Sequence, residues 1–498
     1  MIDWQTYLSP LRVFETDSTA GKGADLRNAF DCDLGRVIFC PAIRRMHDKT
    51  QVIPLSGGDT VLTRLTHSMQ VMSVAESLAN DYTRSDSFRQ SYKENSVSLA
   101  NSISAIVRTA ALLHDIGNPP FGHFGEVSIQ DYFKTPSAIL KCANVRDLDN
   151  MNDFTEFDGN AMGLRIMSKL QYTGRLDGLN LTYATMAAYI KYPNLGSAQK
   201  NAYVGYHKHG IFKTEEPLFN AIVNNCNMRR KDETIKRHPL SFLVEAADSI
   251  CYGAMDIEDA FSQGWYSYDT LVEELSRLAY CKMESKTKDS ERVKNAMVFD
   301  SDKKKSKFSI EKFLGCERHW KDKSPKDNRR LILDFRVKLI NYLVEHTVKV
   351  FCANLEEIDR GSYDNELLKD DPFRINDAIS DFTYRYIISH PSVQKMEIKG
   401  QSVITGLLDK LIFYAFHENK KYLAKIKGVI SEARIECAMH ENIYSEETFF
   451  KFIDHPYLDF NIDKLDKYSR LRLIVDFVAS MTDKFSVELY QRLSGIII

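Results

Sequence analysis

The sequence predicts an all-α fold with a large helical core followed by a helical C-terminal lobe. Apolar residues recur at steps of three and four, period-two alternation is scarce, and glycine and proline end the clearest apolar run. With 498 residues, of which 44% are hydrophobic, the chain is long enough to bury a substantial core. We therefore expect a stable globular protein.

Several helices can be located from these patterns. The first carries an apolar stripe formed by Leu62, Leu65, Met69, Met72 and Leu78. A second is expected over 105–116, because Gly117 and the prolines after it cannot continue a helix, and a third over 240–261. Further amphipathic helices are expected over 330–355, 403–417 and 471–493.

Two polar stretches, 82–104 and 284–309, interrupt the apolar pattern, and the second is the better domain boundary. We expect residues 1–283 to form a helical domain that carries the polar site described below. Residues 284–309 are expected to be a charged linker, and 310–498 a helical C-terminal lobe. No repeat of fixed period is visible.

Composition excludes several classes of protein. Lys and Arg number 66 against 68 Asp and Glu, so the net charge of −2 gives no overall attraction to nucleic acid or to an anionic membrane. The nine cysteines are scattered and form no C-x-x-C pair, which argues against a disulfide framework and favours the cytoplasm. We expect no targeting peptide and no membrane partner, because no apolar run approaches the roughly 18 residues that a membrane span needs.

A metal site is indicated by polar groups on apolar helices, where their burial costs free energy. His114 and Asp115 stand together at the end of the second helix, His67 lies in the first, and Asp248 interrupts the third. Each residue alone could be a hydrogen-bonded polar group of the core. The burial of all four on apolar helices calls for a common explanation. Two imidazoles and two carboxylates suit one divalent ion, Mn or Mg first, with Fe, Co or Ni as alternatives.

A general acid or base is indicated directly after the helix break. His123 and Glu126 are three residues apart, so on a new helical turn they face the same way. Glu126 can then fix the tautomer of His123, while His123 activates water or protonates a leaving oxygen. The alternative is a helix start with an incidental histidine and a capping glutamate.

The third helix also offers groups that suit a sugar ring. Asp248, Tyr252 and Asp256 are spaced four apart and share one stripe. A tyrosine beside the metal can pack on the sugar and leave no room for a 2′-hydroxyl, while Asp256 can accept from a 3′-hydroxyl. The alternatives are an ordinary half-buried aromatic residue and a surface charge.

Phosphates need cations, and four basic side chains stand in suitable positions. These candidates are Arg44, Arg64, Lys191 and Lys208. Each could alternatively be an ordinary surface charge.

The order His67, His114-Asp115, Asp248 resembles the H…HD…D pattern of the HD superfamily of metal-dependent phosphohydrolases, which implies an HD-domain helical core. Longer motifs resemble the bacterial dGTP triphosphohydrolases: RRMHDKTQV at 44–52, TRLTHS at 63–68, HDIGNPPFGHFGE at 114–126, FDGNA at 157–161 and EAADSICY at 245–252. The similarity is strong over 27–261 and weaker over 392–408 and 476–493, where MTDK at 481–484 also resembles the family. Two departures are Met46-His47, where the family commonly has Leu-Gln, and the long polar segment 85–104.

The resemblance implies that water attacks the α-phosphorus of dGTP and releases deoxyguanosine and tripolyphosphate. One ion per subunit would be held by His67, His114, Asp115 and Asp248, with His123 and Glu126 handling the proton. The implied substrate-binding residues are Gln51, Arg64, Asn160, Lys191, Tyr192, Lys208, Tyr252, Asp256 and Arg44. The resemblance further implies homohexamers in which a neighbouring subunit, through the C-terminal lobe, completes the substrate or effector site, and a response to single-stranded DNA or dNTP effectors.

Two other functions stay open. One is an HD phosphohydrolase of other dNTPs or of a nucleoside monophosphate, which product analysis would distinguish. The other is a nucleic-acid-binding regulatory protein with basic runs at 303–307 and 321–330 as its footprint. Those runs are interrupted by acidic residues and lack interleaved aromatics apart from Trp320, as a solvated loop would.

Overall fold

The computed structural model describes residues 2–14, 27–52, 62–145, 148–171, 178–196, 203–286, 297–300, 305–316, 325–430, 462 and 465–496. Part of the predicted linker 284–309 and of the basic runs 303–307 and 321–330 lies outside these residues, as does Trp320.

The described part of the chain is built almost entirely from helices, which we number in chain order. They are α1 Trp4–Tyr7, α2 Ala29–Ile38, α3 Pro41–Arg45, α4 Arg64–Arg84, α5 Asp86–Tyr92, α6 Ser96–Leu113, α7 His123–Lys134, α8 Ala138–Ala143, α9 Asn152–Thr155, α10 Gly159–Arg165, α11 Tyr183–Tyr189, α12 Glu216–Asn225, α13 Pro239–Ser262, α14 Tyr268–Lys286, α15 Ile310–Leu314, α16 Pro325–Ala353, α17 Leu355–Arg360, α18 Ile375–Thr383, α19 Pro391–Ala415, α20 Lys420–Lys427, α21 Lys467–Ala479 and α22 Asp483–Leu493. The predicted all-α fold is confirmed.

A small antiparallel hairpin lies within the predicted linker. Its strands are β1 Met297–Asp300 and β2 Lys305–Phe308, with Met297 opposite Phe308. The charged composition of 284–309 predicted a loop, whereas local pairing of these two short strands satisfies their backbone groups. The division into two lobes stays a prediction, and helices on either side of it pack together, α13 on α16 and α7 on α19.

Helices α4, α6 and α13 pack against one another at the centre of the molecule. The buried face of α6 carries Ile103, Ile106, Val107, Ala110 and Leu113. By length and composition the stretch 86–113 could cross a membrane, but half of its apolar window is buried inside the protein. A core helix has the same properties, and the packing of α6 is that of a core helix.

Two helices differ from their sequence predictions. The buried face of α4 carries His67, Val71, Ala75 and Leu78. Met69, which belongs to the predicted apolar stripe, is 51% exposed, so only part of that stripe faces the core. The polar stretch 82–104, where the sequence predicted an interruption, is largely helical. Helix α5 lies within it, and α6 begins at Ser96. Exposed polar residues in that stretch form the outer surface of a helix, which composition alone presents as a loop.

The helices predicted over 240–261 and 330–355 are present as α13 and α16, and 403–417 lies largely within the longer α19. The segment 471–493 is divided into α21 and α22. The break comes before Thr482, whose hydroxyl accepts the Phe485 N–H and starts α22.

The start of α13 depends on a neutral, buried histidine. His238 precedes Pro239, and its Nδ1 accepts from the Leu240 N–H at 3.2 Å, while its Nε2 lies 3.3 Å from the Tyr7 carbonyl oxygen. Burial lowers the pKa of His238 from about 6.5 to about 4, although the Tyr7 carbonyl opposes that shift. The imidazole therefore caps the helix in its uncharged form.

We expect His238 to make the fold sensitive to acid. Because its folded-state pKa lies below its unfolded value, the unfolded chain binds the extra proton, so stability is lost as the pH falls from about 6.5 to about 4, by up to about 3 kcal/mol. Urea unfolding of His238→Asn, which keeps a capping oxygen but does not titrate, should show a weaker pH dependence. The exposed His47→Asn variant should behave like the parent, and equal acid sensitivity of all three proteins would contradict this role.

Candidate metal centre and active site

Three of the four predicted metal ligands converge where α4, α6 and α13 meet. His67 lies near the start of α4, His114 directly follows α6, and Asp248 lies in α13. Asp248 Oδ1 is 3.1 Å from His67 Nε2 and 3.4 Å from His114 Nε2. One ligand atom from each residue falls within 4.8 Å of the other two, which is close enough for a single ion.

The backbone fixes how His114 faces this centre. Its Nδ1 donates to the Ala111 carbonyl at 2.7 Å, so the lone pair is on Nε2. That Nε2 is buried and makes no hydrogen bond among the described residues. An orphaned buried nitrogen beside a second imidazole and a carboxylate fits a divalent ion such as Mn, Fe, Co, Ni or Mg.

The charges of the ligands are strongly coupled. Burial alone would lower the pKa of His114, but the carboxylates of Asp115 and Asp248 outweigh it and raise the pKa to about 9. Burial would raise the pKa of Asp248, yet His114 and His67 hold it well below its usual range. The two carboxylates therefore favour positive charge at this position, which either a proton on His114 or a metal ion would supply.

Asp115, the fourth predicted ligand, adjoins the centre but has other partners. Its Oδ2 lies 3.6 Å from His114 Nε2 and accepts from Arg64 Nη1 at 2.6 Å, while Oδ1 accepts from the Asn118 amide. Arg64 lowers the pKa of this carboxyl against the opposing effect of burial. Asp115 thus places a predicted phosphate-binding arginine beside the metal ligands.

The same arginine contacts the loop that leads to His123. Gly122 has a φ of +62°, and a Cβ added there would come within 2.1 Å of Arg64 Nη2. The helix break is equally crowded, since a Cβ on Gly117 would lie 2.0 Å from the Gly159 carbonyl oxygen. Both glycines therefore permit close approaches that no other residue allows.

His123 and Glu126 make the contact that their spacing predicts. Glu126 Oε2 lies 2.9 Å from His123 Nδ1, and Oε1 accepts the Gly159 N–H at 2.7 Å. The His123 side chain is 69% exposed, whereas that of Glu126 is 6% exposed. Glu126 can therefore orient the His123 imidazole, and Nε2 of that imidazole stays accessible to a substrate.

A polar cavity of about 100 Å³ opens beside the centre. It is lined by His114, Asp115, Asn118, Asn160, Tyr189, Lys191, Ser241, Val244, Glu245 and Asp248. Predicted metal ligands and two predicted substrate-binding residues, Asn160 and Lys191, thus share one cavity.

Lys191 is held at the cavity by a buried chain of charges. Its Nζ lies 3.3 Å from Glu245 Oε1, and Glu245 Oε2 lies 2.7 Å from Arg237 Nη2. Burial would lower the pKa of Lys191, but Glu245 raises it well above the usual value, so the lysine is a permanent cation. The Lys191 ammonium also lies 5.4 Å from the ring centre of Tyr192.

Lys208 is placed next to the His123–Glu126 pair. Its Nζ lies 3.0 Å from Asp158 Oδ2 and 3.9 Å from Glu126 Oε2. Asp158 also accepts from the backbone and side-chain amides of Asn160 at 2.8 Å, which fixes the side chain of Asn160. Tyr189 donates to the Asn160 carbonyl at 2.9 Å.

Tyr252 and Asp256 follow Asp248 along α13, as predicted. Asp256 is 3% exposed, and its Oδ2 is buried with no hydrogen-bond partner among the described residues. Burial, together with Asp259 and Asp248, raises the pKa of Asp256 well above its usual range. The Gln51 Oε1 is likewise buried without a described partner, and neither Asp256 nor Gln51 is among the residues that line the cavity.

The structure leaves Arg44 apart from this arrangement. Its side chain on α3 is exposed, and its predicted role in phosphate binding stays a prediction. Lys49, in the same motif, is the buried cation of this segment.

Sequence reasoning assigned no role to Glu245, Asp158, Tyr189 or Arg237. Glu245 could have been found, because it precedes Asp248 by three residues and therefore shares its face of α13. The partners of Lys191 and Lys208 are distant in sequence, and no spacing rule indicates them.

Two family models match the chain. The HD domain matches residues 64–142, and the phosphohydrolase-associated domain matches residues 454–492. The first match begins at the first residue of α4 and includes His67, His114 and Asp115, while Asp248 lies outside it.

Known proteins match over almost the whole chain. It is 30% identical, over 99% of both chains, to the deoxyguanosinetriphosphate triphosphohydrolase-like protein of Listeria innocua serovar 6a. It is also 30% identical, over 99% of both chains, to the deoxyguanosinetriphosphate triphosphohydrolase of Enterobacter sp. (strain 638). The chain belongs to the deoxyguanosinetriphosphate triphosphohydrolase family. The predicted family and its HD-domain core are thereby confirmed.

Membership of the deoxyguanosinetriphosphate triphosphohydrolase family makes the chain a hydrolase of the HD superfamily, whose members depend on metals. The similar protein of Synechocystis sp., 29% identical over 99% of this chain, carries the same name with the suffix "-like". The metal, the products and the preferred nucleotide are therefore taken up as proposals.

We expect the affinity for Mn²⁺ to rise with pH. Below the His114 pKa of about 9 the ion must displace a proton, so affinity should increase about tenfold per unit between about pH 6 and pH 8, with about one proton released per ion. Calorimetric titration with MnCl₂ in buffers of different ionisation enthalpy measures both quantities. The exposed His47→Gln variant should show the same slope, whereas a pH-independent affinity would contradict the displacement of a proton from His114.

Proposed function

We propose that this protein hydrolyses dGTP to deoxyguanosine and tripolyphosphate by attack of water at the α-phosphorus. The main support is the placement of the His123–Glu126 pair next to the His67, His114 and Asp248 centre. Arg64 connects the two, because its guanidinium binds Asp115 on one side and abuts Gly122, the residue before His123, on the other. These contacts support a single site in which metal ligands, a proton-transfer group and cations act together.

The metal-binding residues would be His67, His114 and Asp248, with Asp115 beside them. The bound divalent ion, Mn or Mg in our proposal, would supply Lewis-acid polarisation of the α-phosphate. Neutral His123 has its Nδ1 hydrogen toward Glu126, so Nε2 is the basic atom facing solvent. His123 can therefore accept a proton from water or, once protonated, donate it to the leaving oxygen.

The phosphate chain would lie among three cations. Arg64 stands beside Asp115, Lys191 borders the cavity, and Lys208 lies near Glu126. Their carboxylate partners hold them in place before substrate arrives, so little reorganisation is needed to stabilise negative charge. Asn160, fixed by Asp158, and Tyr192, beside Lys191, complete the polar lining in our proposal.

The deoxyribose would bind along the stripe formed by Tyr252 and Asp256, with Gln51 as a further contact. Asp256 Oδ2 is suited to bind a sugar hydroxyl, and Gln51 Oε1 is suited to bind a polar group near that hydroxyl. Both atoms are buried without a described partner, and each buried polar atom needs one. The raised pKa of Asp256 favours a protonated carboxyl, which can both donate to and accept from a 3′-hydroxyl. Tyr252 would exclude the 2′-hydroxyl by contact.

Product analysis tests the proposal directly. Purified protein with Mn²⁺ or Mg²⁺ should convert dGTP faster than dATP, dCTP, TTP or GTP, and anion exchange should show tripolyphosphate and deoxyguanosine. His123→Ala should lower kcat by about 10²- to 10⁴-fold, because general acid–base help is lost. It should retain Mn²⁺ binding, since His123 is not a metal ligand.

Orthophosphate or pyrophosphate as the product would point to another scissile bond and contradict the proposal. Preference for a different dNTP would support the alternative of an HD phosphohydrolase with another base specificity.

Tyr252 should control discrimination between deoxyribose and ribose. In Tyr252→Ala the space beside the sugar opens, so the ratio of kcat/KM for dGTP over GTP should fall by on the order of tenfold or more. Tyr252→Phe keeps the ring and should retain the ratio. Steady-state kinetics with both nucleotides measures the effect, and an unchanged ratio in Tyr252→Ala would remove the tyrosine from sugar selection.

We further propose a homohexameric, cytoplasmic enzyme whose activity responds to single-stranded DNA or dNTPs. Phe39 and Ile398, which are 84% and 66% exposed, are apolar surface that association would cover. The described cysteines are free, in keeping with a reducing compartment.

A further inference from the structure

The loop that leads into the catalytic helix has an unusual backbone. Phe121 has a φ of +63° and Gly122 a φ of +62°, and His123 follows at once as the first residue of α7. A bulky residue rarely adopts a positive φ, and such a conformation persists only where neighbours hold it. The position of His123 therefore depends on whatever holds Phe121.

The group that holds Phe121 comes from the far end of the chain. Asp483, the first residue of α22, accepts the Phe121 N–H with Oδ1 at 2.9 Å. Its other oxygen, Oδ2, accepts the Thr50 N–H, also at 2.9 Å. The carboxylate is 8% exposed and uses both oxygens on backbone amides, so the two hydrogen bonds are charge-assisted and shielded from water.

Neighbouring contacts of the C-terminal lobe act on the same loop. The ammonium group of Lys49 donates to the carbonyls of Asn118 and Ala479, which joins the loop to α21. Burial lowers the pKa of Lys49 to about 7, and the charge of Asp483 opposes that shift. On another side the Phe121 ring lies against α19, where a Cβ on Gly400 would come within 2.8 Å of Phe121 Cγ.

The loop also determines the surroundings of Arg64. Gly122 abuts the guanidinium that binds Asp115. A shift of Phe121 would therefore displace His123 on one side and press on Arg64 on the other. By contrast, helices α4, α6 and α13 place His67, His114 and Asp248. The hydrogen bonds of Asp483 to the Phe121 and Thr50 amides do not involve these helices.

We infer that Asp483 is a positioning residue, which sets His123 in its working place by holding the backbone of Phe121. The inference rests on the proposed function for the role of His123. It gives a role in the site to the MTDK motif at 481–484. This motif lies within the segment matched by the phosphohydrolase-associated domain. A merely structural Asp483 would stabilise α22 without affecting the loop specifically.

Asp483→Asn tests this inference, because its amide nitrogen would face one of the two N–H donors and break that hydrogen bond. We expect faster hydrogen–deuterium exchange in peptides that cover 117–126, with exchange in α13 unchanged. We expect kcat to fall by on the order of tenfold to a hundredfold, the effect of a small misplacement of a catalytic group, with KM for dGTP and Mn²⁺ affinity nearly unchanged.

Thr482→Ala is the matched control. It removes the hydroxyl that starts α22 but leaves the Asp483 carboxylate, so it should alter exchange within α22 and not within 117–126. Its kcat should stay near that of the parent protein. Asp483→Glu provides a second variant should the asparagine variant fail to fold, because it keeps the charge beside Lys49 and displaces both oxygens.

Three results would overturn the inference. They are unchanged exchange over 117–126 in both Asp483 variants, faster exchange there without loss of kcat, or the same loss of kcat in Thr482→Ala. A parent protein that releases no tripolyphosphate from dGTP would contradict the proposed function instead, and the exchange measurement would still decide whether Asp483 holds the loop.

Discussion

A single carboxylate oxygen, Asp248 Oδ1, joins the three helices on which the site depends. It lies within 3.4 Å of imidazole nitrogens from the ends of two other helices. Without it, His67 and His114 would face each other across 5.3 Å between ring centres, with Asp115 as the remaining nearby carboxylate. The attraction between the imidazoles and the Asp248 carboxylate offsets part of the cost of burying these polar groups where α4, α6 and α13 meet.

Contacts that follow from local spacing were predictable from the sequence. The His123–Glu126 pair is three residues apart, and Asp248, Tyr252 and Asp256 share a stripe, so helix geometry alone brings each set together. Convergence of His67, His114 and Asp248 followed from the expectation that buried polar groups need a common partner. Their packing matches that expectation.

Contacts between distant segments were not predictable in this way. The partners of Lys191, Lys208 and Phe121 are carboxylates that no periodicity connects to them. Composition also misplaced the start of α6, because the polar residues after Ser96 cover the outer face of a helix. Arg44 is exposed on α3, and its role in phosphate binding stays a prediction.

Buried ion pairs bind the last helices firmly to the rest of the molecule. Arg165 in α10 lies 2.7 Å from Asp476 in α21 and 2.9 Å from Glu215, and Arg472 also binds Asp476. Removing one partner of such a buried pair typically costs about 3–5 kcal/mol, because the other charge is left without compensation. The attachment of α21 therefore gives α22, and with it Asp483, a fixed place.

The acceptor for the Phe121 amide lies 362 residues further along the chain. During synthesis on the ribosome, the other residues of the candidate site are made before this carboxylate emerges. The loop can reach its final conformation only once the last helix has been released and has docked. A polypeptide that ends before α22 would contain His67, His114 and Asp248 but would lack the acceptor for the Phe121 amide.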